Sequence, residues 1–258
     1  MTGTPALDLS PAPGAARLPR MIAAQAGYEL RTLLRNGEQL LLTLIIPVVL
    51  LVLFGGTSLL DLGPGPRVDF LTPGVLALAV MSTAFTGQAI GTGFERRYGV
   101  LKRLGATPLP RSGLVAAKTL TVLVVEALQA VLICAVALAM GWRPDGDPLS
   151  ALALILLGTA AFSGFGLLMA GTLRAEATLA AANLVYVLLL ATGGVVFPLD
   201  RFPSAVRSAL ELLPISALAD GLRRVLQDGV AFPGGPLLVL AVWAVAGTVL
   251  AARFFRWE

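Results

Sequence analysis

Long apolar runs alternate with short charged segments along most of this chain, and this alternation limits what the chain can fold into. Charged residues make up 13% of the sequence, about half of the ~25% that is typical of soluble domains. Since only helices and closed barrels satisfy their backbone in lipid, and a helix needs ~20 apolar residues to cross the hydrocarbon, the sequence predicts an all-α integral membrane fold. Six transmembrane helices are expected, at residues 39–60, 70–94, 112–140, 149–172, 177–196 and 236–252.

The basic residues are distributed unevenly between the segments that connect these runs. With both termini on one side, thirteen of the nineteen Lys and Arg residues lie on that side, and the other side holds six against eight acids. Basic loops are retained in the cytoplasm, so we predict a multi-pass plasma-membrane protein with both termini cytoplasmic. The lipid bilayer is its expected surrounding, and a nucleic-acid partner is not expected because the charges flank apolar runs.

Two segments precede the first run. Residues 1–17, rich in Pro, Ala, Gly and Thr, are predicted to be a disordered cytoplasmic tail, and residues 18–258 a single membrane domain. An amphipathic helix is expected from Leu18 to Gly37, lying along the cytoplasmic membrane surface; a plain soluble helix is the alternative. Its apolar positions at helical spacing are Leu18, Ile22, Ala26, Leu30, Leu33 and Leu34.

The connection between the fifth and sixth runs, roughly residues 197–235, contains four prolines and two amphipathic stretches. These stretches extend from Ser204 to Leu213 and from Ile215 to Gln227. They predict short extracellular re-entrant helices that dip into the outer leaflet. A soluble helical hairpin fits nearly as well.

Several residue types that enzymes need are missing from the sequence. There is no histidine, which excludes His-dependent nucleophilic catalysis and imidazole metal sites. The single cysteine, Cys134, lies in an apolar run and cannot form an intrachain disulfide. No G-x-x-x-x-G-K-[ST] phosphate loop is present. We therefore predict no catalytic residue, no metal site and no cofactor bound by this chain.

The segment at residues 95–111, between the second and third runs, is basic and broken by prolines. It is expected to start as an extension of the second span, to turn at Gly99 or Gly105, and to end at Pro108 and Pro110. A short helix with a small apolar ridge suits docking into a groove of a soluble partner. An ordinary basic loop that anchors the spans fits the segment equally well. The ridge would consist of Val100, Leu101 and Leu104.

This segment resembles the corresponding loop of the type-2 (ABC-2) ABC transporter permeases, which export drugs, lipids and polysaccharides. The matching positions are Glu95, Arg96, Gly99, Leu101, Leu104, Thr107, Pro108, Leu109, Arg111 and Lys118. The outer connection also resembles the family around Phe197-Pro198, Pro203 and the stretch from Pro214 to Arg223, but Leu213 and Asp220 stand where the family commonly has Asn and Glu.

The resemblance implies that this loop is a coupling helix seated in a cleft of a separate ABC ATPase subunit, which would bind ATP and Mg. Two permeases, as a homodimer or with a paralogue, and two ATPases would form the transporter. The amphipathic helix would also touch the ATPase. The implied coupling residues are Glu95, Arg96, Gly99, Leu101, Leu104, Thr107, Pro108 and Arg111.

By the same resemblance, the translocation path would lie between two permease copies and be lined by the second and fifth spans. Polar or aromatic candidates there are Gln88, Thr86, Asn183 and Tyr186, with Ser82 and Thr83 nearby. For any one of them, an ordinary hydrogen bond between helices is the alternative.

Glu126 lies midway along the third span, where an ionised carboxylate costs at least ~2.5 kcal/mol. It is a further candidate for the path, as a contact for a cationic substrate or as a proton-linked group. Alternatively it is protonated, or bonded to a neighbouring span. Gln129 is expected to share its helix face, and Lys118, two turns nearer the cytoplasm, is expected to snorkel outward.

These features together predict a membrane permease subunit of an ATP-driven ABC exporter for a hydrophobic or amphipathic compound, with drug or antibiotic efflux as the first choice. Lipid or glycan export by the same class of permease is the second choice.

The rival classes are an ion-coupled secondary transporter, a membrane-embedded hydrolase and a structural membrane protein. A secondary transporter usually shows an internal repeat in its sequence, and no such repeat is found here.

Overall fold

The computed structural model describes residues 14–37, 41–57, 65–195, 199 and 202–256, and these residues form helices joined by short connections, without a β-strand among them. Of the predicted disordered tail, residues 1–13 lie outside the described residues, and residues 14–17 are exposed and non-helical. A π-helical turn at Leu41–Ile45 leads directly into the second helix. The helices are α1 Leu18–Leu34, α2 Ile46–Gly56, α3 Arg67–Arg97, α4 Val100–Gly105, α5 Arg111–Ala139, α6 Pro148–Thr172, α7 Ala175–Thr192, α8 Ser204–Leu210, α9 Pro214–Leu226 and α10 Gly234–Phe254.

Five of the six predicted spans are present as helices long and apolar enough to cross a bilayer, namely α3, α5, α6, α7 and α10. The predicted first span is represented by a shorter apolar helix, Thr43–Gly56, and the outer parts of that predicted run lie outside the described residues. Pro47 lies inside the continuous helical stretch Thr43–Gly56, two residues after the π-helical turn Leu41–Ile45.

α3 is the central helix of the bundle. It packs against α2, α5, α6, α7 and α9. Within its most apolar stretch of 18 residues, 83% is buried inside the protein. Its course is not regular: Pro73 lies inside it, and a π-helical stretch occupies Met81–Gly87. π-Helical turns inside α-helices are rare and often mark functional sites, and this one holds the polar residues Ser82, Thr83 and Thr86.

α6 and α10 approach each other at the level of their backbones. A Cβ built on Gly164 would lie 2.5 Å from the carbonyl carbon of Gly247 and 2.7 Å from the backbone nitrogen of Thr248. Only glycine permits such an approach, and small residues at helix contacts are a main source of packing in membranes. The absence of a side chain at Gly164 therefore allows the close contact between α6 and α10.

α9 is packed into the bundle between α3, α6 and α10 and does not form a free hairpin with the exposed α8. Arg223 fixes this position: its guanidinium lies 3.8 Å from the centre of the Phe70 ring and donates hydrogen bonds to the carbonyls of Phe70 (3.2 Å) and Val195 (2.9 Å). Burial lowers the pKa of Arg223 to about 10, so the side chain is still a cation at neutral pH.

α1 runs along the first half of α5. Leu18 lies beside Gly113, and the Ala26 carbonyl accepts a hydrogen bond of 3.4 Å from Thr121 Oγ1. The amphipathic helix is thus docked on a span through its buried Ala26 side. We call the end of the bundle where α3 ends and α5 begins the basic end, and the end that carries α8 and α9 the opposite end.

Candidate functional site

The short helix α4 is placed at the basic end by a sharp turn after α3. Gly99 adopts φ +70°, a left-handed conformation that glycine reaches without strain. After α4, Thr107 Oγ1 donates a 2.6 Å hydrogen bond to the Leu104 carbonyl, and Pro110 precedes the first residue of α5. The turn therefore occurs at Gly99, whereas Gly105 is the last residue of α4.

The apolar side of α4 faces the protein. Leu101 is only 3% exposed, and Val100 and Leu104 are half-buried. Lys102 and Arg103 are exposed on the other side. The expectation that Leu101 forms a ridge available to a partner is therefore wrong, because its side chain completes the core at this end. The surface that α4 offers is basic; Thr107, Pro108 and Arg111, next along the chain, are also exposed.

A buried ion-pair cluster lies directly behind α4. Lys118 Nζ on α5 is 2.6 Å from Glu95 Oε2 on α3 and 3.4 Å from Glu29 Oε1 on α1. The Lys118 side chain is only 8% exposed, so the expectation that it snorkels outward is wrong: two carboxylates compensate its charge inside the protein. Glu95, predicted to act in coupling, points into this cluster and not toward a partner.

Two arginines at the end of α3 bond to the α6–α7 turn and to the start of α7. Arg96 donates a 2.5 Å hydrogen bond from Nη2 to the carbonyl of Leu173, in that turn. Arg97 forms an ion pair with Glu176 in the first turn of α7. The last two residues of α3, directly before the connection to α4, therefore also contact the α6–α7 turn and the start of α7.

The predicted path residues are not brought together on one surface. Gln88 is 7% exposed and faces α1 and α5, Asn183 is exposed on α7, and Tyr186 OH accepts a 3.2 Å hydrogen bond from Ser82 Oγ. Thr86 Oγ1 is buried without a hydrogen-bond partner in the described structure. The Ser82–Tyr186 bond joins α3 to α7, the second and fifth predicted spans.

Glu126 is bonded to a neighbouring span, as one of the two interpretations of this residue predicted. Its Oε2 accepts a 2.6 Å hydrogen bond from Thr159 Oγ1 on α6, and its Oε1 is buried without a partner within the described ranges. Gln129 faces other neighbours: it accepts from Thr83 Oγ1 (2.9 Å) and donates to the Thr43 carbonyl (2.8 Å). Glu126 and Gln129, three residues apart in α5, therefore bond to different neighbouring elements.

Two cavities lie in the half of the bundle nearer the basic end. One, of about 300 Å³, lies between α1, α3 and α5, is open on one side, and has the ion-pair cluster in its wall. The other, of about 350 Å³, lies between α5, α6 and α10 and is mainly apolar. Thr92 and Lys118 line both cavities. We call the first the polar cavity and the second the apolar cavity.

Sequence reasoning missed Glu29, although a signal was present. Glu29 is three residues after Ala26 and four before Leu33, so it stands on the apolar face of α1, where a carboxylate needs a partner.

In the described part of the chain, no three His, Cys, Asp or Glu side chains come close enough to hold a metal ion.

The fold and these sites define a polytopic α-helical membrane protein with a short connecting helix exposed at one end. The chain belongs to the ABC-2 type transporter family, whose sequence profile matches residues 22–226, from the second turn of α1 to the end of α9. This family identifies the chain as a membrane permease of an ABC exporter, a transport subunit that is not itself catalytic and normally works with an ABC ATPase subunit. No curated protein matches the chain.

Proposed function

We propose that this chain is the permease subunit of an ATP-driven exporter that moves a hydrophobic or amphipathic compound out of the cell, with drug or antibiotic efflux as the favoured activity. A separate ABC ATPase subunit binds ATP and Mg and seats α4 in a cleft. The protein lies in the plasma membrane with its basic end and both termini in the cytoplasm, since basic segments are retained there.

The observation that carries the proposal is the construction of α4. Its apolar side is anchored by the buried Leu101, and its opposite side exposes Lys102 and Arg103. A helix that packs against the spans on one side and is exposed on the other can transmit a displacement of the partner subunit to the spans. An unattached basic loop could not do so. The basic surface favours a cleft that carries acidic groups.

The cavities support a small substrate over a polysaccharide. Their volumes, about 300 and 350 Å³, are at the lower end of the range of about 300–1,000 Å³ for sites of drug-sized ligands. Lipid export is the second possibility, supported by the apolar walls of the cavity between α5, α6 and α10.

A second permease copy completes the transporter in this proposal. Only 17% of the 18-residue helix α7 is buried within one chain. Its exposed side carries Leu184, Val187 and Leu188 beside Asn183. An apolar helix face of this kind needs either lipid or another protein against it. With the copy placed there, α3 and α7 line the path, and Thr86, Asn183 and Tyr186 are the residues nearest to it.

The test is co-purification of the detergent-solubilised permease with the ATPase encoded beside its gene, followed by ATP hydrolysis in proteoliposomes. We expect a stable complex, and we expect Lys102→Glu and Arg103→Glu to weaken it and to lower hydrolysis at least fivefold. Arg253→Glu is the matched control, because Arg253 is also exposed at the basic end but belongs to α10. No ATPase in the pull-down, or equal effects of all three variants, would contradict the proposal.

A further inference from the structure

The polar cavity contains more acidic than basic charge. Three charged side chains from the described part of the chain line it: Glu29, Glu95 and Lys118. The two carboxylates share the single ammonium, at 3.4 and 2.6 Å. With both carboxylates ionised, one negative charge is left over in a site that is only partly open to water, since the Glu29 and Glu95 side chains are 14% and 29% exposed. Burying an uncompensated charge is costly, and a bound cation would remove that cost.

The wall of this cavity also holds a polar side chain that nothing in the described structure satisfies. Gln88 is 93% buried, as its 7% exposure shows, and neither its Oε1 nor its Nε2 has a hydrogen-bond partner. Buried amides are normally paired, and an unpaired one costs about 1–3 kcal/mol. Gln88 also lines the cavity, and a buried amide without a partner beside a cavity can be satisfied by a ligand that enters it.

The remaining lining fits a small organic cation. Thr32, Ser82 and Thr83 line the walls, and Tyr28 lies at the rim with 67% exposure. The three hydroxyl groups already donate hydrogen bonds within the protein, so that only their oxygen atoms remain as acceptors. An aromatic ring at the rim can contact an ammonium group through its face. An anion would meet two carboxylates, and an uncharged ligand would leave the excess charge uncompensated.

We propose that the polar cavity between α1, α3 and α5 binds an organic ammonium group, with Glu29 and Glu95 as counter-charges and Gln88 as the hydrogen-bonding partner of the ligand. The proposal rests on the proposed function, because it narrows the exported compound to cationic molecules or amphiphiles. The ammonium can belong to a free cation or to the headgroup of a phospholipid such as phosphatidylethanolamine.

The experiment uses the purified full-length permease in an uncharged maltoside detergent and measures binding by ligand-observed NMR. Choline is the probe, and 3,3-dimethylbutan-1-ol, which replaces the ammonium nitrogen by carbon, is the uncharged control. We expect choline to bind and the alcohol not to bind. Glu29→Gln should weaken choline binding at least tenfold, because it removes the excess charge while the Lys118–Glu95 pair remains intact.

Two further variants keep the result interpretable. Asp228→Asn removes an exposed carboxylate that follows α9 and should leave choline binding unchanged. Gln88→Leu should weaken it without changing the charge, which covers the case in which Glu29→Gln fails to fold. Absence of choline binding, equal binding of the alcohol, or binding that neither Glu29→Gln nor Gln88→Leu alters would overturn the proposal.

The source of the ammonium is decided by competition. Phosphatidylethanolamine added to the micelles displaces choline if the site takes a lipid headgroup, with phosphatidylglycerol as the lipid control without an ammonium; without displacement, a free cation is the ligand. Both results support the site. Because the assay contains no ATPase, failure of the proposed ATP-driven mechanism leaves its outcome unchanged, and failure of choline binding leaves the ATPase assay unchanged.

Discussion

Lys118 is the residue on which the basic end depends most. It lies on α5, yet its partners come from α1 and α3, so one ammonium group joins three helices. Glu95 makes the shorter contact, and Glu29 also accepts a 2.9 Å hydrogen bond from Gln25. Removal of one member of a buried pair leaves the other charge uncompensated and typically costs about 3–5 kcal/mol.

We expect Lys118→Met to destabilise the protein by about 2–3 kcal/mol, less than the full range because Glu95 is partly exposed to solvent. Thermal unfolding in detergent, followed by tryptophan fluorescence, should show a melting temperature lowered by about 5 °C or more. Lys102→Met is the control, since the other lysine of the chain is exposed on α4. The double variant Lys118→Met/Glu95→Gln should recover part of the loss, and absence of any recovery would show that charge is not the cause.

Glu126 gives a contrasting case, because its partner is neutral. The single hydroxyl hydrogen of Thr159 lies within reach of both Glu126 Oε2 and the Ile155 carbonyl, which are 2.6 and 2.8 Å from Thr159 Oγ1. Gln at position 126 can accept the same hydrogen bond through its amide oxygen. We therefore expect Glu126→Gln to keep the melting temperature within about 2 °C or to raise it, since an amide costs less to bury in a membrane than a carboxylate. A fall of more than about 5 °C in the same unfolding assay would mean that Glu126 is paired with a cation in the assembled protein.

At the scale of single residues, the sequence predicted positions better than partners. It marked Glu95 and Lys118 through the loop motif and Glu126 through its depth in a span, but it could not show that Lys118 turns inward. That outcome depends on Glu29, which the chain brings from α1 only after the helices pack. The spacing placed Gln129 one turn from Glu126, but it could not show that its partners, Thr83 and the Thr43 carbonyl, come from other elements.

At the scale of elements, the sequence predicted five of the six spans closely, because span length follows from composition and from the thickness of the bilayer. In the described residues, the first predicted run appears only as the shorter helix Thr43–Gly56. α5, predicted at residues 112–140, is observed at Arg111–Ala139, and α6 begins where Asp147 caps the Leu149 and Ser150 amides. The π-helical stretches at Leu41–Ile45 and Met81–Gly87 could not be predicted, since apolar periodicity is too coarse to show one extra residue in a turn.

The contact between α6 and α10 makes an element-scale prediction. Gly164→Ala places a methyl group 2.5 Å from the Gly247 carbonyl carbon, so the two helices must move apart, and overpacking of this kind costs about 1–3 kcal/mol. We expect the melting temperature to fall by several degrees in the fluorescence assay. Gly27→Ala is the matched control: a Cβ there meets nothing within 4 Å, and the change should be neutral or stabilising by up to about 1 kcal/mol. Equal behaviour of the two variants would contradict this account of the contact.

At the scale of the whole molecule, α4 is connected to the spans by two separate routes. Both routes start in the last turn of α3, which leads into α4: Glu95 joins it to Lys118 on α5, and Arg96 and Arg97 join it to the α6–α7 turn. In the proposed transporter, a displacement of α4 by the ATPase would therefore reach α7, which exposes most of its surface, without passing through the centre of the bundle. The sequence could not show this route, because the Arg97–Glu176 pair joins residues 79 positions apart.

The Arg97–Glu176 pair tests that route. Both side chains are about half exposed, so the pair contributes at most about 1 kcal/mol to stability, and Arg97→Glu or Glu176→Arg alone should leave the melting temperature nearly unchanged. In proteoliposomes with the ATPase subunit, each single variant should lower substrate-stimulated hydrolysis severalfold, since it replaces attraction by repulsion between α3 and α7. The double variant Arg97→Glu/Glu176→Arg should restore hydrolysis, because the attraction returns with its direction reversed. If Arg97 instead contacts the ATPase directly, the double variant stays as impaired as Arg97→Glu, and the α6–α7 turn has no part in coupling.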